Sequence, residues 1–84
     1  MTDTTITKNL ALAFMDKAVK KNYYGTPIMY GHTSVIVGKD GEWGFELYVE
    51  NGKIHVYNID ESKEVKIYSA TEMNKVIAFV WNNI

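Results

Sequence analysis

The side chains in this sequence that could do chemistry are the two histidines, His32 and His55, the glutamates Glu46, Glu50 and Glu64, and the tyrosines Tyr48, Tyr57 and Tyr68. Acid and base catalysis needs paired titratable groups whose surroundings pull their pKa values apart, and metal binding needs several ligands at fixed spacing. Neither pattern is complete. The histidines have no second His or carboxylate at helical spacing, and HExxH is absent. His55 shares a side with Glu46, Glu50 and Tyr48, which would make only a weak, adventitious metal site. The glutamates have Lys53, Lys63 and Lys66 near them in sequence, so solvated charge pairing accounts for them. The glycines form neither GxGxxG nor GxxxxGK[ST], and the absence of cysteine excludes disulfides, thiolate metal sites and a cysteine nucleophile. The expectation is a non-enzymatic chain with no catalytic residue, metal or cofactor.

Charge narrows the partners. Formal net charge is −1, from nine cationic residues against ten acidic ones, and every cation is lysine. Without arginine the chain lacks the planar fork that reads phosphate and guanine edges bidentately. Lys17, Lys20 and Lys21, with Lys8 earlier, complement a helix C-terminus and form too small a patch to argue for DNA or RNA. The Lys, Asn, Ile and Tyr bias resembles translation of an AT-rich genome, such as that of a low-GC bacterium or its phages.

At 84 residues with 46% apolar content, the chain has the size and composition of one folded domain spanning 1–84, with a single core and little room for a deep pocket. The N-terminus has no basic and apolar leader pattern, and no apolar run approaches the roughly 18 residues a membrane span needs, so a cytoplasmic location is expected.

The elements that must position these side chains follow from periodicity. From Thr4 to about Tyr24, Ile6, Leu10, Ala13, Phe14, Ala18 and Val19 recur at spacings near three and four, widened by Ala11 and Met15, which predicts an amphipathic helix. Asp3 or a nearby Thr caps its start, and Gly25 with Pro27 ends it. Residues 25–31 read as a connector lying against the body. Strands are expected over Ser34–Gly38, Trp43–Glu50, the stretch after Gly52, and the stretch before Ser69. The Lys39-Asp40-Gly41-Glu42 turn leaves the first strand's facing open: a two-residue loop turns Ile36 inward, whereas a bulged one turns Val35 and Val37 inward. Gly44, inside a strand beside Trp43, marks a bulge or a close backbone approach.

Asn51-Gly52 predicts a type I′ hairpin that pairs Glu50 with Lys53, Val49 with Ile54, Tyr48 with His55 and Leu47 with Val56. A four-residue loop over Asp60–Lys63 would set Asn58 against Val65 and Val56 against Ile67. Phe45, Leu47, Val49, Ile54, Val56, Val65 and Ile67 then share the inner face. Ser69-Ala70-Thr71-Glu72 matches a capping box, and Met73, Val76, Ile77, Val80, Trp81 and Ile84 form the stripe of a second helix that buries Trp81. The fold class is two-layer α+β, ordered α-β-β-β-β-α, with a four-stranded antiparallel meander and both helices on one face.

On the opposite face Tyr48, Tyr57, His55 and Tyr68, with Ile36 and Ile59, gather among Glu46, Glu50, Lys53 and Lys66. Exposed tyrosines among charges resemble interface composition, so Tyr48, Tyr57, His55, Glu46, Glu50 and Tyr68 are the expected partner-binding residues. Cross-strand pairing that merely stabilises the sheet explains the same residues. The leading expectation is a protein partner, with the chain an inhibitor or adaptor of larger machinery, such as a phage-encoded anti-defence protein. Self-association through this face or an edge strand is open. Stacking of single-stranded nucleic acid is the alternative, opposed by the local carboxylates.

Overall fold

Thr2 fixes where the first helix starts: its hydroxyl accepts from Thr5 N at 3.1 Å and its carbonyl from Ile6 N at 3.0 Å. This is a computed structural model, and it describes residues 2–20, 28–39 and 42–84, with the backbone alone at 28–30 and 39. Helix α1 runs Asp3–Lys20 and buries Ile6, Thr7, Leu10, Ala11 and Phe14. Thr7 is tolerated in the core because its hydroxyl donates to the Asp3 carbonyl at 2.8 Å. Val19, expected in the stripe, is 76% exposed, since the helix has by then passed the edge of what it covers. The expected run to Tyr24 and its stop at Gly25 and Pro27 lie outside the described residues.

Five antiparallel strands follow in sequential order: β1 (Ile28–Tyr30), β2 (Ser34–Lys39), β3 (Glu42–Glu50), β4 (Lys53–Asn58) and β5 (Lys63–Ser69). The expected meander is β2–β5, and part of the expected connector adds β1 at its edge, with Met29 opposite Ile36. A single turn of 3-10 helix, Ala70–Glu72, leads into α2 (Met73–Asn82). Both helices pack on one side of the sheet, which gives the two-layer α+β arrangement. Among the described residues, no helix is long and apolar enough to cross a membrane.

Val35, Val37, Phe45, Leu47, Val49, Ile54 and Val56 form the inner face, against Ile6, Leu10 and Phe14 of α1 and Val76, Ile77 and Val80 of α2. Of the two facings open for β2, the bulged one holds, with the bulge inside the strands: Val37 pairs with Phe45 but Lys39 with Glu42. Gly44 sits at φ +75°, and a Cβ there would lie 2.1 Å from the Val37 carbonyl oxygen. Gly38 is crowded too, a Cβ there meeting the Glu42 carbonyl at 2.5 Å. The bulge breaks the alternation, so Trp43, two residues before buried Phe45, is 59% exposed. Asp60 meets the amides freed by the bulge, its two oxygens accepting from Trp43 N at 3.3 Å and Gly44 N at 3.1 Å.

The β4–β5 hairpin departs from expectation. Asn58 Oδ1 accepts from Glu61 N at 3.0 Å, starting the loop one residue early, and Ser62 closes it at φ 55°. Asn58 therefore pairs with Lys63, which alone preserves facing, but Val65 is then an unpaired bulge and Val56 pairs with Lys66. Everything after Val65 is flipped. Val65 and Ile67, expected inside, are 38% and 48% exposed, while Tyr68 is 5% exposed. Lys66 turns to the helix side with Tyr68 and holds its ammonium 4.9 Å from the centre of that ring, sealing it from water.

The capping box forms as expected. Ser69 Oγ accepts from Thr71 N and Glu72 Oε1 from Ser69 N at 3.2 Å. That backbone bond is the main reason the Glu72 carboxyl sits below its ordinary 4.5, with Lys75 at 3.4 Å adding to it and partial desolvation opposing. A lowered folded pKa means stabilisation that is complete above the unfolded value and lost as pH falls through the folded one. The melting-temperature gap between wild type and Glu72→Ala is therefore full near neutral pH and closes as pH drops below 4.5; a gap independent of pH would remove the charge from the account. Met73 and Trp81 of α2, and Ile84 beyond its end, are half-buried at the rim, so Trp81 is only partly covered. Phe79, outside the expected stripe, packs edge-on to Phe45 at 6.0 Å.

Candidate functional site

The face of the sheet away from the helices is built by alternation along β3 and β4. Leu47 and Val49 point into the core, so Glu46, Tyr48 and Glu50 point out; Ile54 and Val56 point in, so Lys53, His55 and Tyr57 point out. Cross-strand pairing then brings Glu46 beside Tyr57, Tyr48 beside His55 and Glu50 beside Lys53. The two-residue Asn51-Gly52 loop permits this register, with Asn51 at φ 52° and Gly52 at φ 73°. Both loop amides are held by Asp3, whose carboxylate oxygens accept from Asn51 N and Gly52 N at 2.9 Å each. The tip of the hairpin is thereby anchored to the start of α1 by charge-assisted hydrogen bonds.

At its centre the Tyr48 and His55 rings stack with centroids 4.4 Å apart and planes 8° from parallel. Glu64, opposite Tyr57 on β5, accepts from His55 Nδ1 at 3.1 Å. A carboxylate can only accept, so the His55 proton sits on Nδ1 and the ring is fixed on both its edge and its face. Desolvation raises the Tyr48 phenol above its ordinary value, and Glu64, Glu50 and Glu46 raise it further. Ile36 and Ile67 extend the face toward β2 and β5.

Five of the six expected residues, Glu46, Tyr48, Glu50, His55 and Tyr57, are together on this face. Tyr68 is not: the Val65 bulge turns it into the core, so it is no surface residue and its assignment to partner binding is corrected. Lys66 leaves the face with it. In their place the bulge delivers Ile67, opposite His55. Sequence reasoning missed it, and the available signal was Asn58, a residue type that opens turns through its own carboxamide.

Among the described residues no group of three or more His, Asp or Glu side chains is arranged to hold a metal. A shallow cleft of about 210 Å³ lies at the other end of the sheet, between Glu42, Gly44, Asn58, Asp60, Glu61 and Asn83. Both Asp60 oxygens there are engaged by the Trp43 and Gly44 amides, which makes that carboxylate a structural acceptor. Comparison with protein-family models, curated proteins and solved structures gave no match to this chain.

Proposed function

We propose that the chain is a non-enzymatic protein-interaction domain that meets its partner with the outer face of the sheet, as an inhibitor or adaptor of a larger assembly. The observation that supports this is the composition and fixity of that face. An antiparallel sheet can leave one side to water, but that side then usually carries short polar or charged residues. Here it carries Tyr48 stacked on His55, Tyr57, and Ile67 at 48% exposure, with glutamates around them. Rigid aromatic anchors ringed by charge are the composition of binding hot spots. Against phosphate stands the local charge: Glu46, Glu50 and Glu64 face out with Lys53, and Lys66 lies on the helix side.

The test uses Tyr48→Ser combined with Tyr57→Ser. Neither ring is in the core, so the variant keeps the native circular dichroism spectrum. Capture of a discrete protein from host lysate falls by about tenfold or more, as expected when two hot-spot aromatics are lost. Unchanged capture would refute the reading. Capture abolished by nuclease would instead favour single-stranded nucleic acid stacking on the same rings.

A further inference from the structure

One row of the outer face runs Ser34, Tyr48, His55, Ile67 across β2 to β5. His55 covers one face of the Tyr48 ring. On the other side the cross-strand neighbour is Ser34, whose side chain is too short to cover a ring. Along β3, Glu46 and Glu50 flank Tyr48 on the same side, each about 7 Å away along the strand. Neither makes an ion pair with another described residue, whereas Glu61, Glu64 and Glu72 each have one. The fields of Glu64, Glu50 and Glu46 add at the Tyr48 phenol.

An aromatic wall, a small hydroxyl floor and an uncommitted carboxylate at each end form a slot for a flat cation. We infer that this slot, between Ser34, Tyr48, Glu46 and Glu50, takes an arginine side chain presented by the protein partner, which rests on the interaction reading above. A guanidinium lies flat on a tyrosine face while its edge N–H groups reach carboxylates, and it sheds water more readily than an ammonium. Phosphate is excluded by the same carboxylates. A second copy of the chain cannot fill the slot, because this sequence contains no arginine.

The probes are a capped hexa-arginine peptide and its hexa-lysine counterpart, titrated at low ionic strength and followed by amide chemical shifts. Hexa-arginine moves the signals of Ser34, Glu46, Tyr48 and Glu50 first, and hexa-lysine binds several-fold more weakly. Glu46→Gln with Glu50→Gln lowers hexa-arginine affinity about tenfold, the size expected for charge-assisted hydrogen bonds. Glu42→Gln with Glu61→Gln removes the same charge elsewhere and changes affinity less than about twofold. Ser34→Leu fills the slot and abolishes the response at Tyr48 while leaving the fold intact. Equal effects of the two glutamine pairs, equal binding of the two peptides, or shifts centred on the Glu42 and Asp60 cleft would each overturn the proposal. If the glutamine pair at 46 and 50 still captures the protein partner while the double tyrosine variant does not, the arginine slot is wrong and the interaction reading stands. If the double tyrosine variant also captures it normally, both fail.

Discussion

Replacing Gly44 by alanine should destabilise the fold by about 3 kcal/mol or more, and replacing Gly52 by alanine by only about 1–2 kcal/mol. Both glycines have positive φ, +75° and +73°, so both substitutions carry the cost of a left-handed L-residue. They differ in what the new methyl meets. At Gly52 nothing lies within 4 Å, while at Gly44 the Cβ would sit 2.1 Å from the Val37 carbonyl oxygen and 2.9 Å from Gly38 Cα. The obstacle is backbone, and Gly44 cannot move away from it, because Asp60 holds its N–H and the Ile59 N–H holds its carbonyl at 2.9 Å. Nothing flexible can yield. Urea denaturation of the two variants measures the difference; equal midpoints would mean that φ alone matters and that the bulge is not a close backbone crossing.

The second large effect tests the facing of β5. Tyr68→Ala should cost about 3–5 kcal/mol, as for other large aromatics removed from a core, and Ile67→Ala less than about 1 kcal/mol. Tyr68 is 5% exposed, pairs with Ile54 and lies under the Lys66 ammonium, whereas half of Ile67 is in water. Simple alternation through the hairpin predicts the reverse order. The two denaturation curves therefore decide between a bulged and an unbulged strand, and a larger loss at Ile67 would restore the unbulged register.

These two positions also mark where the sequence was legible. The β3–β4 hairpin was readable pair by pair because a two-residue Asn-Gly loop admits one register, and the pairs from Glu50 with Lys53 to Leu47 with Val56 are as expected. The capping box at Ser69 was equally local. Gly44 was suspect because glycine in a strand has few other reasons to be there. The β5 facing was not readable, since Val65, Ile67 and Tyr68 offer two apolar sets of opposite parity and a bulge exchanges one for the other. Because Tyr68 was placed by that parity, the candidate site lost Tyr68 and gained Ile67. The outer-face core of Tyr48, His55, Tyr57, Glu46 and Glu50 survived because it depends on β3 and β4 alone. The roles of Asp3 and Asp60 were invisible for another reason: each reaches amides far away in the chain, which no local pattern encodes.

The bond from Asp3 to Gly52 spans 49 positions of a chain whose strands otherwise pair only with their neighbours in sequence. Each hairpin closes a short loop, at little entropic expense, and can form without waiting for the rest. Helix α1 has no such shortcut. Its Leu10 and Phe14 cover Val35, Val37 and Leu47, which without them would face water on the side opposite the tyrosines. Without α1 the meander would be apolar on this side and tyrosine-rich on the other, so Leu10 and Phe14 are what make one face of the sheet an inside.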